Sequence, residues 1–409
     1  MKSIRYILPT LLLICLAACV NDDTDMSKII DGSGGSTDTI KPVDIELDFT
    51  ALDETPDTPP TDVLDPDYND YEENTSWDYT INIAYDGEQA TLSGNTNRVR
   101  YTTDGAHVTI NSTSSRINYV ITGTSSNGSL KIYSESKFKL TLNGVSLTNP
   151  NGAPINNQCG KSLYLVLADG TTNTLADGTA YTDVVGEDQK GTLFSEGQIL
   201  LSGKGTLNVN ANVRHAFVSD DYLRIRPGAK LNITSAAGHG IKVNDGIYID
   251  GGVLNITTSG NGYKAIKCDS FVAFNGGRTT LLTSGGCSIT PATDIAPADT
   301  SSCAGIKADS IMTVNGGILR IKSTGEGGKG INTGYNLTIN AGSITIVTTG
   351  VKGLAAPKGI KSDASVIING GYIYSYSAAS DPLDGNLGVT IAPGYNLYES
   401  LSRRLILAY

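Results

Sequence analysis

The chain is poor in charge, in histidine and methionine, and in aromatic residues other than tyrosine. Of its 409 residues only 17% are charged, and it holds one Trp, three His and three Met. That supply excludes a His-rich metal centre: His215 and His239 fall at equivalent places, but two imidazoles without a third ligand make a weak zinc site. A nucleophile elbow, a phosphate-cradling loop and a CxxC pair are all absent. Paired carboxylates for glycoside hydrolysis are also poorly supplied, because the adjacent Asp220 and Asp221 would point to opposite faces of a strand. After the first residues no apolar run is long, and no stretch keeps a 3.6-residue period long enough for a crossover helix.

What the chain does have is glycine, 47 residues of it, and repetition. One phrase recurs: a small residue, an apolar residue, then usually Lys. It is seen at His239-Gly240-Ile241-Lys242, Lys264-Ala265-Ile266-Lys267, Ala304-Gly305-Ile306-Lys307, Lys329-Gly330-Ile331-Asn332 and Lys358-Gly359-Ile360-Lys361. The anchors from Phe217 to Ile360 are spaced by about 24 residues, with one long and one short insertion, and a period of this size marks a solenoid. A second phrase is a turn: Asp250-Gly251-Gly252, Asn275-Gly276-Gly277, Asn315-Gly316-Gly317, Asn340-Ala341-Gly342 and Asn369-Gly370-Gly371. Asn, Asp and Gly tolerate positive φ, so the turn is locally encoded. Short alternating runs flank it, such as Ile247-Tyr248-Ile249 and Leu254-Asn255-Ile256, and alternation with β-branched residues predicts strands.

Three short strands per repeat, stacked on the next repeat at about 4.8 Å, give a three-sided coil. The expected fold is therefore all-β, a right-handed parallel β-helix of about 24 residues per coil. A single coil buries no core; a stack does.

The net charge of −11 is not spread evenly. Residues 20–75 hold 17 acidic side chains against Lys28 and Lys41, so residues 76–409 are close to neutral. Lys2 and Arg5 precede an apolar run from Tyr6 to Ala18, too short to span and stay, which reads as a signal peptide over 1–18. The run ends in Leu16-Ala17-Ala18-Cys19, which resembles a bacterial lipobox and implies cleavage before Cys19 and lipidation of that residue. Several acyl chains would anchor the chain stably. Asn21-Asp22-Asp23 resembles the export signal of some surface-exposed lipoproteins. An outer-membrane lipoprotein facing the cell surface is expected. Residues 19–75, acidic and rich in Gly, Ser and Pro, are expected to form a disordered extended tether, with the folded domain over 76–409.

Leu142-Asn143-Gly144-Val145, the Asp169–Gly178 segment and the Gly-Ile-Lys and Asn-Gly-Gly phrases together carry a family resemblance. From about Trp77 to about Pro393 the chain resembles bacterial cell-surface carbohydrate-binding domains that are similar to pectate lyases in fold. Members are described as binding cellulose and polygalacturonate rather than cleaving them. The resemblance implies a right-handed parallel β-helix with calcium held at coil turns. Members often place Asp just before the Gly-Ile-Lys phrase; here that column reads His215, His239, Lys264, Ala304, Lys329, Lys358 and Asp381. Calcium takes six to eight oxygens, so this column is a poor cage. A second column, Asp269, Asp309 and Asp363 with Asp220 and Asn244, offers weak metal candidates or plain turn chemistry. Calcium is thus a possible cofactor, not a required one.

Two faces are candidates for binding. If the Ile anchors point inward, their neighbours point outward. Gly240, Ala265, Gly305, Gly330 and Gly359 would form a flat floor beside a ladder of Lys242, Lys267, Lys307 and Lys361, a shape suited to a polyanion. Equally, Asp269, Asp309 and Asp363 would serve as counter-charge to that ladder. The other face follows the Gly-Gly turn. There Tyr372 and Tyr374 point out beside Arg278, Arg320 and Lys322, either as a platform for sugar C–H faces or as contacts for the C-terminal tail.

Cys287 and Cys303 bracket an insertion and are a disulfide candidate outside the cytoplasm; Cys159 and Cys268 read as buried apolar residues. The expected function is non-catalytic binding of polysaccharide, acidic polygalacturonate-like chains or β-glucan, by a monomer with no nucleic-acid partner. The alternatives are a calcium-dependent polysaccharide lyase and a surface adhesin for protein partners.

Overall fold

The computed structural model describes residues 41–293, 297–401 and 403–408. Cys19, the signal peptide and the first part of the acidic segment lie outside the described residues. The chain forms the expected parallel β-helix, of about 11 turns. A typical turn has three strands, as in Ile241–Val243, Gly246–Ile249 and Val253–Thr258, and each pairs in parallel with its counterpart one turn on. We refer to these as the first, second and third faces. The second and third faces meet at Phe138–Asn149, one strand that pairs with Leu163–Leu167 along its first half and with Thr172–Asp177 along its second.

The repeat phrase works through register. Leu193, Phe217, Ile241, Ile266, Ile306, Ile331 and Ile360 pair rung to rung on the first face and are all fully buried. Inward rows from the other two faces, such as Ile247, Val272, Met312 and Leu337 on the second, close the core. Fully burying such a side chain is worth about 1.5–3 kcal/mol, and only the stack supplies that burial.

The small residue before each anchor is not part of an outer floor. Ala265 is fully buried in the core, and a Cβ on Gly240, Gly305 or Gly330 would lie 2.4, 2.3 or 2.3 Å from Cγ2 of Ile256, Ile321 or Ile346. The chain turns the corner into the first face here, and two successive side chains point inward where strict alternation expected one. At Gly240, Gly305 and Gly330 the opposite wall already fills the space a side chain would take, whereas Ala265 fits on its own coil.

The Asn-Gly-Gly corner is held by an amide ladder. The Nδ2 groups of Asn275, Asn315, Asn340 and Asn369 donate to Asp250, Asn275, Asn315 and Asn340 at 2.7–2.9 Å. Gly277 and Gly317 follow with φ of 74° and 78°, a region that glycine alone enters freely. The ends are closed by antiparallel strands: Gln89–Gly94 on Tyr79–Asp86 at the start, and Arg404–Ala408 on Tyr372–Ser377 at the finish. The insertion after Gly286 is a hairpin, Ser288–Thr290 with Asp299–Ser301. Cys287 and Cys303 at its base are buried free thiols rather than a disulfide: Sγ of Cys303 lies against Gly260 and Gly286 carbonyls, and that of Cys287 against Glu326.

Residues 41–75 differ from the expected tether. They form almost no regular structure, yet they lie along the helix from the last coils back to the first. Asp44 and Asp48 reach Lys322 and Arg320; Asp57 and Glu73 hold Arg226; Asp67 and Asp70 hold Arg224. The physical reason is charge. The segment is acidic, the face beneath it carries arginines, and the pairs cancel both. The described part of this segment is therefore docked on the β-helix.

Candidate functional site

The ladder expected on the first face exists. Lys242, Lys267, Lys307, Asn332 and Lys361 pair rung to rung and point outward. It is already neutralised. Asp269 bridges Lys242 and Lys267, and Asp309 bridges Lys267 and, at 3.5 Å, Lys307. Lys361 lies 3.4 Å from Asp363 and 3.5 Å from Asp384. Burial tends to raise the Asp269 carboxyl, but hydrogen bonds from Lys242 and Lys267 outweigh it and hold the group below the ordinary carboxylate value. Each of these lysine side chains is less than a fifth exposed. The same geometry argues against a calcium site: Asp269, Asp309 and Asp363 face ammonium groups, not one another, and cannot offer six oxygens to one ion.

The third face builds a different surface. Its outward columns run Thr280, Arg320, Thr345, Tyr374 and Arg278, Ile318, Ser343, Tyr372. Strand alternation placed these side chains outward correctly, but outward is not the same as exposed. Tyr372 is 41% exposed; Tyr374 is 5% exposed, packed with Ile45 of the acidic segment and with Val347 and Tyr376. The Tyr374 hydroxyl accepts the Val43 amide at 3.3 Å. Tyr374 is thus a floor for the acidic segment rather than an open sugar platform, because the segment and the C-terminal strand cover it.

Between that segment and the face runs a cleft of about 390 Å³, with residues 43–46 on one side and Arg320, Thr345, Tyr372 and Tyr374 on the other. Arg320 is 40% exposed and gives one N–H to Asp48 at 3.2 Å. A guanidinium carries five such donors in a planar fork, so one ion pair does not exhaust it. Lys322, at the rim, pairs with Asp44 at 2.7 Å. The structure therefore brings together Arg320, Tyr372 and Tyr374, puts Lys322 beside them, and leaves Lys242, Lys267, Lys307 and Lys361 on another face. A volume of this size suits one sugar ring, with an aromatic face for its C–H side and a cation for a carboxylate. A larger cleft of about 570 Å³ beside the first coils is lined by Arg98, Arg100, Tyr133, Glu135 and Gln158 among others. Its aromatic residue, Tyr133, is bonded to Glu187.

Farther along the acidic segment the contacts are tighter. Arg224 donates to Asp70 at 2.7 Å, to Asp67 at 2.9 Å and to Asp250 at 2.6 Å, while Tyr222 adds its hydroxyl to Asp70. Glu54 accepts the amides of Gly228 and Gly252 at 2.9 and 2.8 Å. Sequence reasoning missed this docking because the segment has no period. The available signal was complementarity: an acidic stretch beside Arg224, Arg226, Arg278 and Arg320 on outward positions.

The two histidines at the repeat position also found a role that periodicity did not reveal. Their rings stack with centroids 4.8 Å apart. Nδ1 of His215 accepts the His239 amide, and Nδ1 of His239 accepts the Lys264 amide, both at 2.9 Å. They replace backbone acceptors at a corner. Burial, then Lys242 and Arg214, pushes His215 down to about 4; burial, then His215 and Lys264, pushes His239 down to about 2.

Among the described residues, one group of three carboxylates lies close together, Asp188, Glu196 and Asp220. Lys190 sits between Asp188 and Asp220 and pairs with both. The Asp169–Gly178 phrase is architectural. Asn173 clamps the amides of Gly144 and Val145 at 2.9 and 3.0 Å, and Asp177 accepts the Asn212 amide at 2.6 Å.

A protein of Acetivibrio thermocellus described as carbohydrate-binding domain-containing is 32% identical over 120 residues, covering 28% of this chain and 41% of that protein. The chain thus spans about two fifths of the length of the curated relative it matches. A solved structure described as a polysaccharide lyase-like protein from C. thermocellum, in a gadolinium derivative, is 19% identical. It covers 77% of this chain and 98% of its own, with a TM-score of 0.39. The family model described as carbohydrate-binding domain-containing protein matches residues 104–295 and 262–353, which takes in the coils from Ala106–Ser112 to Ser343–Thr348. The chain belongs to this carbohydrate-binding domain family.

Proposed function

We propose that the chain is a non-catalytic, cell-surface polysaccharide-binding lipoprotein that prefers acidic, polygalacturonate-like chains. Family membership supports carbohydrate as the ligand class. The single observation that carries the finer reading is the pairing of Arg320 with Tyr372 in one sugar-sized cleft. A ring stacked on Tyr372 would gain apolar contact, and a uronate carboxylate would gain a charge-assisted bond from Arg320. Neutral β-glucan offers the first term alone. Binding rather than calcium-dependent cleavage is favoured on the first face, since its Lys and Asp side chains are committed to one another. The lipobox-like Leu16-Ala17-Ala18-Cys19 supports the reading of a lipid-anchored outer-membrane protein.

Affinity electrophoresis of the full chain through gels containing polygalacturonate or a soluble cellulose derivative tests this reading. Retardation by polygalacturonate at low salt, weaker retardation by the neutral polymer and no release of unsaturated uronides are expected. Equal migration with and without either polymer would overturn it.

A further inference from the structure

The acidic segment crosses the helix in two unlike halves. From Glu54 to Asn74 its carboxylates reach Arg224 and Arg226, which are 8% and 6% exposed, and Glu54 is bound by two backbone amides. From Val43 to Thr50 only the outer pairs are open to water: Asp44 is 71% exposed on Lys322, and Arg320, 40% exposed, lies 3.2 Å from Asp48; the inner one is not, since Arg278, 7% exposed, lies 3.3 Å from Asp48 and donates to the Thr50 carbonyl. Water-exposed ion pairs contribute little and are screened by salt. One buried apolar side chain, Ile45, anchors this arm, with a reciprocal amide pair between Asp48 and Asn255.

The carboxylates of the arm sit on the cations that a uronate chain would use. Arg320 and Lys322 point outward from one strand of the third face, two residues apart, and Arg278 lies one turn earlier in the neighbouring outward column. The arm also walls the cleft, so that the space left open fits one ring rather than a chain.

We infer that residues 43–50 are an internal competitor: a displaceable acidic arm that occupies an extended uronate-binding furrow formed by Arg278, Arg320 and Lys322. A polyanionic glycan lifts the arm and extends from the Arg320–Tyr372 cleft along the third face, while residues 54–74 stay docked. This rests on the reading of the cleft as an acidic-sugar site. Neutral polymers, which do not engage the three cations, gain nothing from displacing it.

The test compares the full chain with D44N/D48N and with D62N/D65N in polygalacturonate gels. The first pair removes the competing charge but keeps Ile45. The second pair makes the same change in net charge at exposed positions away from the three cations. D44N/D48N is expected to bind polygalacturonate about three- to tenfold more tightly than the unsubstituted chain, with D62N/D65N within about twofold. Measured against a polymer-free gel, all three are expected to be retarded alike by the neutral polymer. If the unsubstituted chain is retarded but D44N/D48N binds no tighter than D62N/D65N, the arm is no competitor and this inference fails alone. If the neutral polymer retards D44N/D48N differently on that measure, the arm acts structurally and the inference fails. If no protein is retarded by polygalacturonate, the reading of the cleft fails and takes the inference with it.

Discussion

Asp70 and Arg224 are 154 residues apart in the chain and 2.7 Å apart in space, and each is less than a tenth exposed. A buried guanidinium with its partner removed is left uncompensated, and breaking such a pair costs about 3–5 kcal/mol. Asp67 and Asp250 still hold Arg224 in Asp70→Ala, so the loss in denaturant unfolding should be smaller, about 1–3 kcal/mol, from the missing Asp70 bond and the unpaired Tyr222 hydroxyl. A chain begun at residue 76 should lose more, because Arg226 would also lose Asp57 and Glu73. Unchanged unfolding midpoints for both would show that the acidic segment is not part of the fold.

Gly330 tests the corner geometry. Its missing Cβ would stand 2.3 Å from Ile346 Cγ2 and 2.4 Å from the Gly359 carbonyl oxygen. Backbone cannot yield as a flexible side chain does, so Gly330→Ala should destabilise by about 1–3 kcal/mol. Equilibrium unfolding checks this. An alanine tolerated without loss would restore the outward floor expected from strict alternation.

The stacked histidines give the fold an acid sensitivity. A base whose folded pKa lies below its unfolded value takes its proton first in the unfolded chain. Stability is then full above about pH 6.5 and falls as pH drops, down to about 4 for His215 and about 2 for His239. Each contributes a slope of up to about 1.4 kcal/mol per pH unit in its window. The groups facing them are Arg214, Lys242, Lys264, Lys267 and Asp269, with Tyr263 edge-on to both rings. Replacing both by Asn keeps an acceptor near Nδ1 and removes the titration. Unfolding measured from pH 6.5 to 4.5 should show a steep loss in the unsubstituted chain and a flatter one in H215N/H239N; parallel curves would contradict the assignment.

The helix itself was legible because its signal is periodic. Phe217 to Ile360 recur at the coil length, and the Asn-Gly-Gly turn names its own backbone conformation. Outward columns followed from alternation, so Lys307, Arg320 and Tyr372 were placed on the right faces. Four things were not legible. Gly305 looked like an outer residue because the corner breaks alternation, a tertiary effect invisible in spacing. Tyr374 looked exposed because nothing periodic announced that Ile45 would cover it. Asp269 looked like a possible metal ligand because the choice between an ion and Lys242 is made by side-chain geometry. The acidic segment was misjudged for a related reason: composition alone describes an isolated chain, and this one has a basic surface beside it.

The most direct measurement is calorimetric titration of a short oligogalacturonate into the full chain and into R320Q, Y372A and K307Q. R320Q and Y372A should each weaken binding by about tenfold or more, as loss of a central cation or aromatic anchor does. K307Q, on the first face, should bind within about twofold of the unsubstituted chain. Weakened binding in K307Q with R320Q and Y372A unaffected would move the site to the lysine ladder and contradict the account.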